Sequence, residues 1–479
     1  MIRAIISLYR FSFPTVIVYM LQNAEYQPGA YMNWFWRTQD FSTVMKRRKL
    51  DRTRAANLLL MALRIGMGLQ IVLAASMITA GIMRQMDELI ELGAAIYLIY
   101  PVLWAHLVVL PLLLGRLFVV EPKNRALIAT SKEIFEKHPG KVIAVAGSYG
   151  KTSMKELLAT ILSEGKKVAV TPANRNVATS HAQFAVRLDG DEDVLVIEYG
   201  EGKPGDVRAF AEITRPDIGI ITGLAPAHLD QYPTLEDAGK DIFSLAGYLE
   251  DKNVYVNGDS ESTKAFLKDS HHVYDSKGVD DWKVSRVSVD FDGTRFELKK
   301  GAQAFKLHTQ LIGKHHIGPI TAATILALEL GLSKKQIEAG VAKTVPFEHR
   351  MQPRNLHGAW IIDDTYNGNI DGMRAGLELL QELPGRRKIY VTPGLVDQGV
   401  ETETVHNELG RLIAAAKPDK VVLMKNSTTQ YISQGLKTGN YDGEVVVEDE
   451  PLSFYTNLEH IVASGDLILM QNDWPDNYA

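Results

Sequence analysis

The stretch KVIAVAGSYGKTSMKELLATIL, Lys141 to Leu162, decides the fold. Lys141 to Ala146 is a short apolar run rich in β-branched residues and reads as a buried strand. Gly147, Ser148, Gly150, Lys151, Thr152 and Ser153 follow at once, and Met154 to Leu162 carries a helical pattern. Strand, glycine loop and helix in that order form the context of a phosphate-binding loop. Glycines let backbone N–H groups approach phosphate oxygens, and the helix N-terminus adds its positive dipole end. Lys151 supplies a point charge, and the Thr152 hydroxyl can reach Mg2+. The spacing is GxxGKT[ST], not the commoner GxxxxGK[ST].

Working outward, Val194–Glu198 and Ile218–Thr222 are continuous apolar runs, as parallel strands covered on both faces require. Chemistry then belongs at their C-terminal ends, beside the phosphate loop. Glu198 ends one strand and His228 follows the other. Singly they read as a strand-end charge and a loop histidine; together they offer a carboxylate and an imidazole to a second Mg2+.

The first 120 residues have a different character. Leu58 to Met83 is apolar except for Arg64 and Gln70, and Leu92 to Leu114 is a second such run containing Pro101, His106 and Pro111. Each is long enough to cross a hydrocarbon core of about 30 Å, which takes about 20 residues. The alternative is a pair of buried core helices. Lys46, Arg47, Arg48, Lys49, Arg52 and Arg54 precede the pair, and Arg116, Lys123 and Arg125 follow it. Positive flanks mark the cytoplasmic side. The expectation is a transmembrane hairpin in the inner (cytoplasmic) membrane, with the catalytic domains facing the cytoplasm. Residues 2–21, interrupted by Arg3, Arg10 and Pro14, read as an interfacial or partly buried helix. A cleaved signal peptide would strand a nucleotide site outside the cell. Tyr31, Trp34, Phe35 and Trp36 suit either a headgroup-level belt or packing against the hairpin. The chain has no cysteine, which removes disulfides, thiolate metal sites and cysteine nucleophiles. The net charge of −5 argues against a nucleic-acid partner.

GSYGKTS resembles the ATP loop of the Mur ligase superfamily, and further stretches resemble its MurF-type branch. These are TPANRNVATS (Thr171 to Ser180), VLVIEYGEGKPGDV (Val194 to Val207) and RPDIGIITGLAPAHLD (Arg215 to Asp230). IGKHHIGPITAATILALELGLS (Ile312 to Ser333) is similar to the family's Gly-x-His-Asn-x-x-Asn helix, with Gly313 and His315 matching and His316 and Pro319 replacing the asparagines. IIDDTYNGNIDGMRAGLELL (Ile361 to Leu380) resembles the Asp-Asp-Ser-Tyr-Asn-Ala-Asn-Pro stretch, and PGLVDQG with His406 resembles the next segments. The resemblance implies ATP and Mg2+ as cofactors. It implies that Thr152, Glu198 and His228 hold metal, and that His315, Asp364, Tyr366 and Asn367 contact the nucleotide. Arg350, in EHRMQ, would meet the γ-phosphate through its planar fork of donors. The family also uses a carbamylated lysine after the histidine; the candidate here is Lys240, two residues from where the pattern would place it, at Ile242. Relatives have Lys-Gly-Ser near the end, where this chain has Gln471, Asn472, Asp473 and Trp474.

The implied activity is ATP-dependent joining of a carboxylate to an amine through an acyl phosphate. Lys151, Lys240, His228 and Arg350 are the catalytic candidates. The expected partners are ATP, a cell-wall muramoyl-peptide precursor that is either nucleotide-linked or lipid-linked, and an amino acid or dipeptide amine. A poly-γ-glutamate-type synthase and a non-catalytic nucleotide-binding scaffold of wall assembly are the competing readings. The expected fold class is α/β: a membrane region at 1–125, a central P-loop parallel-sheet ATPase domain at 126–345, and a C-terminal Rossmann-like domain at 346–479.

Overall fold

The computed structural model describes residues 6–24, 26–38, 40–44, 49–173, 175–225, 232, 234–366, 368–395 and 398–472. The chain divides into two compact units, Met1–Ala126 and Leu127–Ala479.

The first unit is helical. Helices α1 (Phe13–Asn23) and α2 (Pro28–Arg37) precede a hairpin of α3 (Arg54–Arg84) and α4 (Asp87–Leu107). Thr53 caps α3 by accepting from the Ala56 N–H, and Gln85 ends it in the left-handed conformation at φ 52°. Small residues let the two hairpin helices approach closely: a Cβ on Gly93 would lie 2.9 Å from the Ala74 carbonyl oxygen, and one on Gly66 would strike the Trp104 ring. Gln70, inside the apolar run, is satisfied locally. It donates to the Ile96 carbonyl at 3.0 Å and accepts from Trp104 Nε1 at 2.7 Å.

Pro14, which interrupts the apolar stretch 2–21, sits in the first turn of α1, where its missing N–H has no intrahelical partner to lose. Ile17, Met20 and Leu21 of α1 are fully buried in a cluster with Tyr31, Phe35, Leu60 and Leu63, so this helix packs inward. The aromatic run is split: Tyr31 and Phe35 are buried and Trp36 is exposed. Lys46, Arg47 and Arg48 lie outside the described residues. Helix α3 and the continuous helical stretch Asp87–Lys137 are long and apolar enough to cross a membrane, by length and composition. The junction after Val120 is helical over Glu121–Lys137.

The second unit contains two parallel-rich sheets. Strands β1 (Lys141–Ala146), β2 (Val168–Val170), β3 (Val194–Glu198), β4 (Ile218–Ile221), β5 (Val254–Asn257) and β6 (His272–Asp275) pair in parallel in the order β6-β5-β4-β1-β3-β2. Four antiparallel strands, β7 (Gly278–Val279), β8 (Trp282–Asp290), β9 (Gly293–Lys300) and β10 (Gln303–Thr309), extend the β6 edge. Central strands β1 and β3 are apolar and buried along nearly their whole length, which is why they show no period-two alternation. The chain leaves β1 toward β2 and β3 on one side and returns to β4 on the other. The switch point, where ligands bind in open α/β sheets, is therefore at the C-terminal end of β1.

The second sheet runs β11-β12-β16-β13-β14-β15, built from β11 (Gln352–Leu356), β12 (Ala359–Asp364), β13 (Arg387–Thr392), β14 (Lys420–Met424), β15 (Glu444–Glu448) and β16 (Asp466–Gln471). Only the β11–β12 pair is antiparallel. The last strand inserts at the centre of this sheet, so the residues after β16 emerge beside the ends of β12 and β13.

Candidate active site

The loop from Gly147 to Ser153 joins β1 to helix α5 (Lys151–Leu162), as its sequence predicts. Gly147 has φ +142°, and a Cβ there would lie 2.4 Å from Thr222 Oγ1, just beyond β4. Gly150, at φ +75°, turns the chain into the first helical turn. The Ser148 N–H donates to the Gly223 carbonyl at 2.9 Å, and the Thr222 hydroxyl donates to the Tyr149 carbonyl, so the loop is pinned to the end of β4. Ser153 lies in the first turn of α5.

Around this loop the side chains form a connected polar cluster. Lys151 Nζ donates to the Gly147 carbonyl and to both carboxylate oxygens of Glu201, at 2.7 and 3.0 Å. Thr152 Oγ1 donates to Glu198 Oε1 at 3.1 Å, and Asn176 Nδ2 approaches the same oxygen at 3.4 Å. Lys155, one helical turn after Lys151, is fully buried. Its ammonium donates to the carbonyls of Thr171, at 2.9 Å, and Ala173, and stands 3.3 Å from Glu198 Oε2. Glu198 Oε2 is buried and has no hydrogen-bond partner. That oxygen, ion-paired with Lys155 but not hydrogen-bonded, and the Thr152 hydroxyl offer hard oxygen donors, the ligand type Mg2+ prefers. His181, fully buried, meets the Glu198 carbonyl at 2.9 Å, and burial pushes its pKa down to about 4. It is thus a neutral packing partner of the strand end. His228 lies outside the described residues.

The second sheet brings another group together. Asp364, ending β12, accepts from the Met351 N–H at 3.2 Å and from Gln471 Nε2 at 2.8 Å. Burial pushes its carboxyl up to about 7; the bonds from Gln471 and Met351 and the nearby Arg350 pull the other way. The Arg350 guanidinium lies over the Tyr366 ring, 4.2 Å from its centroid. Asn369 caps the helix Ile370–Glu382 by accepting from the Gly372 N–H. Asn367 lies outside the described residues. His406 is buried and accepts from the Leu395 N–H at 2.9 Å. Tyr149 of the phosphate loop reaches Asp371 at 3.4 Å, linking the two groups. His315 and His316 stand with ring centroids 4.0 Å apart on the short turn before the helix Ile317–Glu329; desolvation pushes His315 down to about 4.

Lys240 is not brought to this cluster. Its side chain is 62% exposed, pairs with Glu236 at 2.7 Å, and borders a surface hollow with Phe243, Ser244, Asp251 and His271. The Glu236 pairing holds the ammonium above its ordinary pKa, which opposes the neutral amine that carbamylation requires. Ile242 is an apolar core residue. Three contributors escape the sequence reading: Lys155, Glu201 and the Gln471–Asn472 pair. Lys155 shares a helix face with Lys151 at i,i+4 spacing, which is a legible signal. Glu201 follows Glu198 by three residues in a turn. Asn472, read as a departure from relatives, accepts from the Gly368 N–H at 2.6 Å and donates to the Gly394 carbonyl at 2.7 Å, tying two loops together.

The Mur ligase middle domain matches residues 145–327, and the Mur ligase, glutamate ligase domain matches residues 349–471. The chain belongs to the Mur ligases. Members of this family are ATP-dependent, ADP-forming peptide ligases that use Mg2+. The chain is 29% identical over 341 residues to the UDP-N-acetylmuramoyl-tripeptide–D-alanyl-D-alanine ligase of Escherichia coli, covering 69% of this chain and 73% of that one. It is 27% identical over 364 residues to the ligase of the same name from Mycobacterium leprae, covering 69% and 70%. In fold it is similar to MurF from Acinetobacter baumannii, with a TM-score of 0.64 at 22% identity over 73% of this chain and 77% of that one. It is likewise similar to MurF from Thermotoga maritima in complex with ADP, with a TM-score of 0.63 at 21% identity over 73% and 80%.

The comparisons with these ligases overturn the expected inner-membrane location. The physical reason for the misreading is that length and apolarity are tests of composition. Core helices of soluble proteins and signal sequences pass them too.

Proposed function

We propose that this Mur ligase is MurF-like: it joins the terminal carboxylate of a muramoyl tripeptide to the amine of D-alanyl-D-alanine. The observation that carries this reading is the phosphate-loop cluster of Lys151, Thr152 and Glu198 at the switch point of the first sheet. The DDTYNGN run and the names of the similar ligases favour this branch over a glutamate ligase.

In this reading the backbone N–H groups of the glycine loop and the Lys151 ammonium bind the β- and γ-phosphates. Thr152, Glu198 and His228 would hold Mg2+, which supplies charge neutralisation on the transferring phosphoryl group. Arg350, already oriented by Tyr366, swings its fork of donors to the γ-phosphate. The substrate carboxylate attacks that phosphorus, ADP leaves, and an acyl phosphate remains. The dipeptide amine then attacks the acyl carbon, and phosphate leaves as the amide forms. The chain's contribution is positioning and fixed positive charge. Asp364 receives the ribose or orients Arg350.

The test is phosphate release from ATP and Mg2+ with D-alanyl-D-alanine and either nucleotide-linked or lipid-linked muramoyl tripeptide, with Lys151→Ala as control. Release requiring both substrates and Lys151 supports the reading and identifies the carrier. Release with glutamate and no wall precursor would replace it with the poly-γ-glutamate reading. Nucleotide binding without turnover under any pairing would favour the scaffold.

A further inference from the structure

The Lys151–Glu201 pair has a consequence for nucleotide entry. The lysine that must meet phosphate is already engaged: both oxygens of Glu201 hold its ammonium, and the Gly147 carbonyl takes a further bond. The pair is largely out of water, with side-chain exposures of 12% for Lys151 and 3% for Glu201. Glu201 is also fixed from both sides. The Gly200 N–H donates to the Asn176 carbonyl at 2.8 Å, and the Gly205 N–H donates to Asp241, which in turn accepts from Tyr232 at 2.7 Å. The carboxylate is therefore presented to the loop by a braced turn.

Lys151 is paired with Glu201, while Lys155 stands between Glu198 and the part-exposed Glu156, so no cation is in excess here. A triphosphate drawing Lys151 away strands the Glu201 charge in a buried place beside more negative charge, an expensive arrangement unless a cation replaces the ammonium. Free ATP brings about two more negative charges than its Mg2+ complex, so it meets this obstacle in full.

We propose that Glu201 is a positioning residue that makes nucleotide binding conditional on the divalent cation: it holds Lys151 until nucleotide arrives and, once Lys151 has moved to phosphate, its freed carboxylate would join Glu198 and Thr152 in holding the metal. This rests on the phosphate-loop reading of Lys151. Glu201 thus selects metal-loaded nucleotide over free nucleotide and keeps the loop closed to other polyanions.

The experiment measures ATP binding by calorimetry on the full chain, in EDTA and in Mg2+, for the wild type, Glu201→Gln, Glu201→Asp and Lys151→Ala. The expected wild type binds ATP far more weakly in EDTA than in Mg2+. Glu201→Gln, which frees Lys151 without changing shape, tightens metal-free binding at least tenfold and shrinks the Mg2+ advantage by a similar factor. Glu201→Asp, which keeps the charge but withdraws it by one methylene, falls between the two and gives the answer if the amide variant does not fold. Metal-free affinity within twofold of wild type in both Glu201 variants would overturn the proposal while leaving the phosphate-loop reading intact. A wild type whose Mg2+-dependent ATP binding is unaffected by Lys151→Ala would overturn the phosphate-loop reading itself, and this proposal with it.

Discussion

Replacing Lys155 by methionine keeps most of the side-chain volume and removes the charge, so it isolates what that ammonium does. In the structure it is fully buried and touches four acceptors: the Thr171 and Ala173 carbonyls, Glu198 Oε2 at 3.3 Å and the part-exposed Glu156 Oε1 at 3.5 Å. Removing one partner of a buried ion pair costs about 3–5 kcal/mol, because the other charge is left uncompensated. Glu198 keeps Thr152 and Asn176 on its other oxygen, which favours the lower end, while the two bared carbonyls add to the loss. A destabilisation of about 3 kcal/mol corresponds to a fall in melting temperature of roughly 4 °C for a unit the size of Leu127–Ala479. The assay is thermal unfolding followed by circular dichroism, with Glu198→Gln added as a second substitution. The double variant should recover part of the loss, since a neutral amide leaves no unpaired charge. A melting temperature within about 1 °C of wild type for Lys155→Met, or no recovery in the double variant, would refute the idea that Lys155 is the counter-ion of Glu198.

Asp364 predicts a pH dependence of stability. Its carboxyl is raised to about 7, chiefly by burial, so the folded protein holds a proton that the unfolded chain releases near its ordinary value of 3.8. The contribution is therefore fully present at low pH and is lost as pH rises toward 7, by about 4 kcal/mol in all. Urea midpoints between pH 4 and 8 should show this slope, and Asp364→Asn should flatten it; an unchanged slope in the variant would assign it elsewhere. Asn472→Ala strips partners from Gly368 N–H and the Gly394 carbonyl and should cost about 1–3 kcal/mol, seen as a lower urea midpoint. A midpoint equal to wild type would mean that the two loops hold their positions unaided. Lys240→Gln should leave turnover within about twofold of wild type, because the lysine is exposed and paired with Glu236; a loss of a hundredfold or more would restore a catalytic role to it.

The phosphate loop and the central strands were legible because their signals are local. A β-branched run, two glycines and Gly-Lys-Thr at one spacing leave little freedom, and buried parallel strands show as unbroken apolar runs. The contacts that brace the site were less legible because they join residues distant in sequence. Asn472 meets Gly368 and Gly394 only because β16 inserts between β12 and β13, an insertion that no local pattern announces. Glu201 carried no signal of its own, because a glutamate three residues past a strand end does not announce where its side chain points. The N-terminal unit failed differently. Hydropathy gave the hairpin helices at nearly their observed lengths, but apolar length was read as location.

The central claim is that ATP activates a substrate carboxylate. It is tested most directly by supplying muramoyl tripeptide labelled with oxygen-18 in its terminal carboxylate, together with ATP, Mg2+ and D-alanyl-D-alanine, and weighing the released phosphate by mass spectrometry. The account predicts one labelled oxygen in each phosphate released and an amide product that has lost one label. Phosphate released at the same rate without label would mean that water, not the carboxylate, receives the phosphoryl group, and the ligase mechanism would be contradicted.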